Sequence, residues 1–222
     1  MAAVEVLAQG PWEPAAVRTR WRAERYEPEA GASAAADAAL AALAARGSPS
    51  HDSLAARVAG VHAEATGLTL ELQPVRWALR LVAGGAAASL FVLCLVRDGA
   101  GRWLAGHRSP WLAILPGVWH VGAAGSVAAG DDPVATMRAE LDEEWGLKPP
   151  ELTVAALLAQ PSGQNLLLGL ATVPDGAELR LNDEHDAWAW WPADPAGWPA
   201  EAAPDLRDLA LWTAALPARD AA

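Results

Sequence analysis

The pattern of apolar positions changes near residue 85 and divides the chain into two parts. In the first part, residues 34–46 are strong helix formers throughout. Apolar residues recur at helical spacing within 48–67, and this stretch ends at a glycine, which predicts a second helix. Residues 68–82 alternate and are predicted to be extended, with an interruption at their single proline. We therefore predict a small, mainly helical N-terminal region over residues 1–84.

The second part, residues 85–222, is richer in predicted strands. Two apolar runs flank the glycines at 99–101 and predict a β-hairpin, and two further runs flank a turn at 161–164. Residues 187–192 alternate as a strand does, whereas 204–218 have a proline near their start and helical apolar spacing. Strands mixed with helices predict an α/β sandwich.

A further helix is predicted at 133–145 by its end signals. Asp132 is a good N-cap, Pro133 suits the first helical position, and Gly146 suits the residue that follows the helix. At about 100° per residue, the apolar side chains of this helix form one stripe that faces the core. That stripe consists of Val134, Met137, Leu141 and Trp145.

Three glutamates share another face of the same helix. Glu140, Glu143 and Glu144 are spaced so that their carboxylates lie within one helical turn, where like charges repel. Such crowding requires either open solvent or a bound cation. Dense carboxylate oxygens suit Mg²⁺ or Mn²⁺, with phosphate oxygens and waters completing the shell. A solvated acidic face is the alternative, and helix geometry alone leaves both open.

The net charge and the cysteine content limit the classes of ligand and partner that the chain is expected to bind. The net charge of −11 opposes binding to a nucleic-acid polymer or to an anionic membrane surface. An anionic substrate would therefore need a metal ion or a local arginine cluster. The single cysteine, Cys94, lies in an apolar run and is expected to be a buried thiol. The N-terminal sequence lacks the features of a signal peptide, and the apolar run 81–96 is too short to span a membrane, so we expect a cytoplasmic protein.

A glycine-rich loop precedes the acidic helix. Gly122 and Gly125 permit tight turns and a close approach between the backbone and a ligand. Trp119 and His120 lie beside this loop, and Trp119 is in a position to stack on a base, although core packing is the other role open to it. We therefore take these four residues as candidate substrate contacts.

From residue 125 to residue 147 the chain resembles the Nudix box, G-x5-E-x7-R-E-U-x-E-E-x-G-U, in which U is a bulky aliphatic residue. The spacing matches throughout, with Gly125 as the first glycine and the three glutamates at their places in the box. Two positions depart from it: Asp131 replaces a glutamate, and Ala139 replaces an arginine. The likeness covers roughly residues 86–218 and leaves the N-terminal part outside.

The resemblance implies a Nudix-like α/β/α sandwich with a mixed sheet. It also implies divalent-metal-dependent hydrolysis of a nucleoside diphosphate linked to another moiety, with Mg²⁺ or Mn²⁺ as cofactor. Carried onto this sequence, Glu140, Glu143 and Glu144 would be metal ligands and catalytic groups, and Asp131 would be an accessory metal ligand. The missing arginine would have oriented a carboxylate from position 139 by a bidentate pair.

The resemblance further implies an acid from a later loop, for which Glu184 is the candidate. His185 is an alternative acid or base. For both residues, the other interpretation is a solvated turn before the next strand, with no chemical role.

Two other functions remain open at this point. One is a Nudix-fold binding or regulatory module with a weakened site. The other is an isomerase, because residues 118–127 resemble a loop of the isopentenyl-diphosphate isomerases, although those enzymes use a catalytic cysteine and Cys94 lies in an apolar run. For residues 1–84 we expect no metal or phosphate ligand. This region is either a small helical appendage without a role in the site, or a lid or homodimer contact.

Overall fold

The computed structural model describes residues 4–48, 51–82, 87–149, 151–202 and 204–215. The strands are β1 (Glu5–Trp12), β2 (Val17–Trp21), β3 (Leu54–Glu64), β4 (Gly67–Arg76), β5 (Leu90–Asp98), β6 (Trp103–Arg108), β7 (Trp119–Val121), β8 (Ala123–Ser126), β9 (Glu151–Ala159), β10 (Asn165–Val173) and β11 (His185–Trp191). The α-helices are α1 (Ala32–Ala45), α2 (Pro133–Trp145) and α3 (Pro204–Ala214). Short 3₁₀ turns occur at Pro14–Ala16, Trp77–Leu81 and Pro195–Gly197.

The larger sheet has eight strands and is mixed. Its central order is β1-β9-β10-β5-β6-β11, with β7 paired to β6 and β8 paired to β5. The β10–β5 pair is parallel, whereas the other pairs are antiparallel. The predicted hairpins are present as β5–β6 and β9–β10, and the strand predicted at 187–192 is present as β11.

Helices cover both faces of this sheet. Side chains alternate across a strand, and on β5 Val92 and Cys94 pack into the core that contains α2. Leu93 and Leu95 of the same strand pack into a second core that contains Leu206 of α3. The predicted α/β/α sandwich is therefore confirmed. No helix among the described residues is long and apolar enough to cross a membrane.

Helix α2 begins and ends where its sequence predicts. The Asp132 carboxylate accepts hydrogen bonds of 2.9 Å from the backbone N–H groups of Val134 and Ala135. At the other end, Gly146 adopts a left-handed conformation with a φ of 68°. The predicted apolar stripe is buried against the sheet, which fixes the rotation of the helix and thereby the direction of its glutamates.

The mainly helical character predicted for residues 1–84 is not confirmed, because its described residues contain one α-helix and four strands. Strands β2, β4 and β3 form a second sheet, in which β4 lies in the middle. In β4, the alternating Leu68, Leu70 and Leu72 are all buried. The backbone of β4 pairs with β3 along the whole length of β4. This pairing outweighs the modest helix propensity of the β3 sequence.

The prediction of a helix within 48–67 is wrong, because residues 54–64 form strand β3. A register shift between Val58 and Gly60 inserts one extra residue into the strand. Val58 and Val61 therefore both pack against the same core. A spacing that fits one face of a helix fits one face of a bulged strand equally well.

The two parts of the chain share a core and hydrogen bonds. Strand β1 pairs with β9 of the larger sheet. The Ala56 N–H donates to the Val127 carbonyl at 2.8 Å, and the Ala129 N–H donates to the Leu54 carbonyl at 2.9 Å. The domain boundary predicted between residues 84 and 85 falls within 83–86, which lie outside the described residues.

We expect Leu70→Ala to destabilise the whole chain by about 2–5 kcal/mol, because Leu70 is fully buried in the core that also holds α2. The measurement is denaturant unfolding followed by tryptophan fluorescence, with Val6→Ala, at an exposed position, as the control. A single shifted transition supports the shared core. A stable larger sheet beside an unfolded smaller one would contradict it.

Candidate active site

The C-terminal half of α2 is bound to the glycine-rich loop. The Glu144 side chain is buried, with the residue only 1% exposed, and its carboxylate accepts a 3.1 Å hydrogen bond from the Ala124 N–H. The next residue, Trp145, donates its indole N–H to the Gly122 carbonyl at 3.1 Å. These two bonds hold the helix and the loop in a fixed relation.

Two glycines of this loop are required by close approach. A Cβ at Gly125 would overlap the Glu140 carboxylate, so only glycine lets that carboxylate lie against the loop. Gly122 has a φ of 74°, and a Cβ there would overlap the Cys94 carbonyl of β5. Glycine at these positions therefore brings α2, the loop and the sheet together.

The carboxylates of this region are electrostatically frustrated. Burial, followed by the charges of Glu143 and Glu184, raises the pKa of Glu140 to about 7. Burial also raises the pKa of Glu144 well above its usual range, with smaller contributions from Glu140 and Glu184, although the bond from Ala124 opposes this. Negative charge at this end of α2 is therefore incompletely compensated.

Arg108, at the end of β6, provides the partial compensation. Its positive charge lowers the pKa of both Glu140 and Glu144, and its Nη2 lies 3.8 Å from Glu184 Oε2. The box arginine is absent at Ala139, which is exposed on α2. Arg108 thus places a guanidinium near the same carboxylates from another element. Arg108 could not be identified from the sequence, since it lies outside the box and only the tertiary fold brings it close.

A cavity of about 830 Å³ opens over this region and is lined by both parts of the chain. Its charged and titratable lining includes His51, Arg80, Arg108, His120, Glu140 and Glu184. Gly125 and Ala124 also line it, and the Ala124 N–H is the one that donates to Glu144. Of the residues predicted as substrate contacts, His120 and Gly125 thus face the cavity.

Other predicted site residues lie elsewhere. Trp119 packs against the rings of His107 and Trp191 at 5.4 and 5.6 Å, and Gly122 serves the loop contacts described above. Asp131 is exposed at the turn before α2, and Glu143 is exposed on the helix. Glu143 still affects the pKa of Glu140 by its charge.

Two histidines in the region are held neutral. His185 is buried, stacks on Trp145 at 4.5 Å, and has its Nε2 3.8 Å from Glu144 Oε2. Burial and the charge of Arg108 lower the pKa of His185 to about 4 and that of His120 to about 3. Neither ring is therefore an imidazolium cation at neutral pH.

The donor chemistry of this region fits a hard divalent cation. Glu140 and Glu144 are one turn apart with raised pKa values, and a cation between them would offset their repulsion. Among the described residues, no three His, Cys, Asp or Glu side chains are already gathered as ligands.

The sandwich, the glycine-rich loop and the glutamate helix define the class of α/β proteins that carry a Nudix box. The family model described as the NUDIX domain matches residues 90–213, and the chain therefore belongs to the NUDIX family. The match begins at β5 and ends within α3, so it leaves out the smaller sheet.

Three solved structures illustrate the likeness. DR0079 from Deinococcus radiodurans is 19% identical, with a TM-score of 0.48 over 56% of this chain and 82% of its own. The MutT protein from Methanosarcina mazei is 19% identical, with a TM-score of 0.46 over 57% and 92%. The NUDIX domain of Shewanella oneidensis NrtR, complexed with ADP ribose, is 18% identical, with a TM-score of 0.46 over 57% and 85%. No curated protein matches the chain.

The raised pKa of Glu140 predicts a pH-dependent stability difference in the metal-free protein. A raised pKa favours folding below the unfolded value near 4.5, and this contribution is lost as pH rises through about 7. We therefore expect the Tm of Glu140→Gln, relative to wild type, to increase from about pH 5 to about pH 8. Thermal unfolding in EDTA measures it, and the histidines cancel in the comparison. A difference that does not change with pH would contradict the assigned pKa.

Proposed function

We propose that the protein is a divalent-metal-dependent hydrolase that cleaves the diphosphate linkage of a small nucleotide-type substrate. The observation that carries the proposal is the pair Glu140 and Glu144, which contacts the glycine-rich loop where Glu140 and that loop line a cavity of about 830 Å³. A cavity of this size suits a nucleotide-sized ligand. The family match supports a Nudix hydrolase, because the pair occupies two glutamate positions of the box.

The metal site of the proposal consists of the α2 glutamates. Glu140, Glu143 and Glu144 would hold Mg²⁺ or Mn²⁺, with Asp131 as an accessory ligand by its place in the box. When bound, such an ion supplies charge neutralisation for the diphosphate and a more acidic water. Arg108 lowers the pKa values of Glu140 and Glu144 and so opposes part of the rise that burial causes, which favours metal binding over protonation.

In the proposed reaction, a water oxygen attacks one phosphorus atom and the bond from that phosphorus to the bridging oxygen breaks. Glu184 is the proposed general base, because it lines the cavity, comes from a loop apart from α2, and is partly exposed to solvent. It would accept the proton of the attacking water, and the leaving phosphate would carry away the bridging oxygen. His185 is less suited as an acid because burial keeps it neutral.

Isomerase chemistry is disfavoured by the position of the thiol. Cys94 is fully buried in β5, and burial raises its pKa, so that the reactive thiolate is suppressed. A binding module without turnover remains the outcome to test against hydrolysis.

We expect Glu144→Gln to lower kcat/KM by about 100-fold or more, because the amide keeps the hydrogen bond from Ala124 but loses the anionic oxygen. The measurement is the rate at which phosphate-containing products form in the presence of Mg²⁺ or Mn²⁺. The substrates are nucleoside triphosphates, dinucleoside polyphosphates and ADP ribose, the ligand of the NrtR domain. Glu178→Gln, at an exposed position, is the matched control. Full activity in Glu144→Gln would remove α2 from the mechanism, and no wild-type turnover would favour a binding module.

Gly125→Ala should abolish the Tm increase that Mg²⁺ or Mn²⁺ gives to the wild-type protein, because the new methyl group displaces the Glu140 carboxylate. Gly197→Ala is the control, since a Cβ there makes ordinary contacts with Pro192. Thermal unfolding with and without the metal is the measurement. An unchanged metal response in Gly125→Ala would show that the position of Glu140 against the loop is unimportant.

A further inference from the structure

One cation of the cavity comes from outside the NUDIX match. Arg80 lies in the 3₁₀ turn Trp77–Leu81, which precedes the matched residues 90–213. It lines the same cavity as Arg108, Glu140 and Glu184. The smaller, N-terminal part of the fold therefore contributes a positive charge to a site whose acidic groups all belong to the NUDIX part.

The Arg80 side chain is held in place at the glycine-rich loop. Its guanidinium donates to the Ser126 hydroxyl, which also accepts a 3.2 Å hydrogen bond from the Trp77 indole N–H. The guanidinium carbon lies 5.4 Å from the Trp77 ring centroid, as in a cation–π contact. Since Ser126 follows Gly125, Arg80 is fixed one residue away from the contact that positions Glu140.

Arg80 has no carboxylate partner among the described residues. Other arginines of the smaller part do have one: Arg76 pairs with Asp37 and Asp52, and Arg22 pairs with Glu71. The Nε of Arg80 is buried and has no hydrogen-bond partner in the described structure. A largely buried guanidinium without a counter-charge is costly, which is a reason to look for an anion that occupies the site in function.

A second guanidinium, that of Arg108, adds to the positive charge that lacks a counter-ion at Arg80. Burial and the positive charge of Arg108 both lower the pKa of Arg80, so the two groups are close enough to repel each other. The nearest carboxylate of Arg108, on Glu184, is 3.8 Å away and partly exposed. Two guanidinium groups on one cavity form a local arginine cluster in a chain whose net charge is −11.

We propose that Arg80 and Arg108 together bind a phosphate group of the ligand, so that the smaller part of the fold completes the substrate site. Guanidinium groups are planar forks of donors that match phosphate oxygens. Ser126 and the Trp77 ring orient the Arg80 guanidinium at the cavity, where none of the described carboxylates pairs with it. The inference rests on the proposed function for the identity of the substrate, a diphosphate compound, but the anion site itself exists without hydrolysis.

Pyrophosphate in EDTA is the probe, because it reports the arginine pair with metal and turnover removed. Calorimetric titration of the full chain should show binding that weakens at least tenfold in Arg80→Gln and in Arg108→Gln. Arg80→Lys should be weaker than wild type, since it keeps the charge but loses the fork. Arg18→Gln, an exposed position with the same charge change, should bind as wild type does. Wild-type-like binding in a folded Arg80→Gln would overturn the proposal and leave Arg80 as a structural clamp, as would no binding by wild type.

A measurement on the wild-type protein covers the case in which Arg80→Gln does not fold. Phenylglyoxal modification, mapped by mass spectrometry, should be slowed at Arg80 and Arg108 by pyrophosphate, but not at Arg18. Equal modification of Arg80 with and without pyrophosphate would contradict the site.

The outcomes separate this inference from the proposed function. Glu144→Gln should lose hydrolysis yet keep pyrophosphate binding in EDTA, because it leaves both arginines in place. If wild type hydrolyses its substrate but pyrophosphate binding is unchanged in Arg80→Gln, the anion site alone is refuted. Binding that depends on Arg80 without any hydrolysis by wild type would support the anion site and refute the hydrolase.

Discussion

The contact between α2 and the loop at 122–126 is the constraint on which the candidate site depends. Glu144 is buried there because its carboxylate accepts the Ala124 N–H, and Glu140 lies against the loop because residue 125 has no side chain. Both carboxylates lose solvation in the process, which raises their pKa values. The same contact that orders the site therefore creates its need for a cation, and Arg108 meets that need only in part.

Much of the NUDIX part could be predicted because its signals are local. The caps of α2, at Asp132 and Gly146, are adjacent to the helix they end, and the apolar stripe fixes which side of the helix faces the sheet. The smaller part is harder to predict from the sequence, since the apolar spacing in β3 fits either a helix or a bulged strand. Only pairing with β4 selects the strand.

The charged groups that complete the cavity could not be predicted from the sequence. Arg80 and Glu140 are 60 residues apart in the numbering, and nothing local in the apolar run around Arg80 points toward a ligand. The sequence predicts no phosphate ligand in residues 1–84, but Arg80 lines the cavity and is held there by its bond to Ser126. Such groups are brought together by tertiary contacts, whereas the Nudix box is contained within a single loop and helix.

The central claim is that Glu140 and Glu144 hold a divalent cation, and metal binding coupled to proton release tests it most directly. Mn²⁺ titrated into the full chain by calorimetry, in buffers of different ionisation enthalpy, counts the protons released per ion. Because the pKa of Glu140 is raised to about 7, we predict binding with proton release near neutral pH, and its loss when both glutamates are changed to glutamine. Absence of Mn²⁺ binding by wild type, or equal binding by the double variant, would contradict the account.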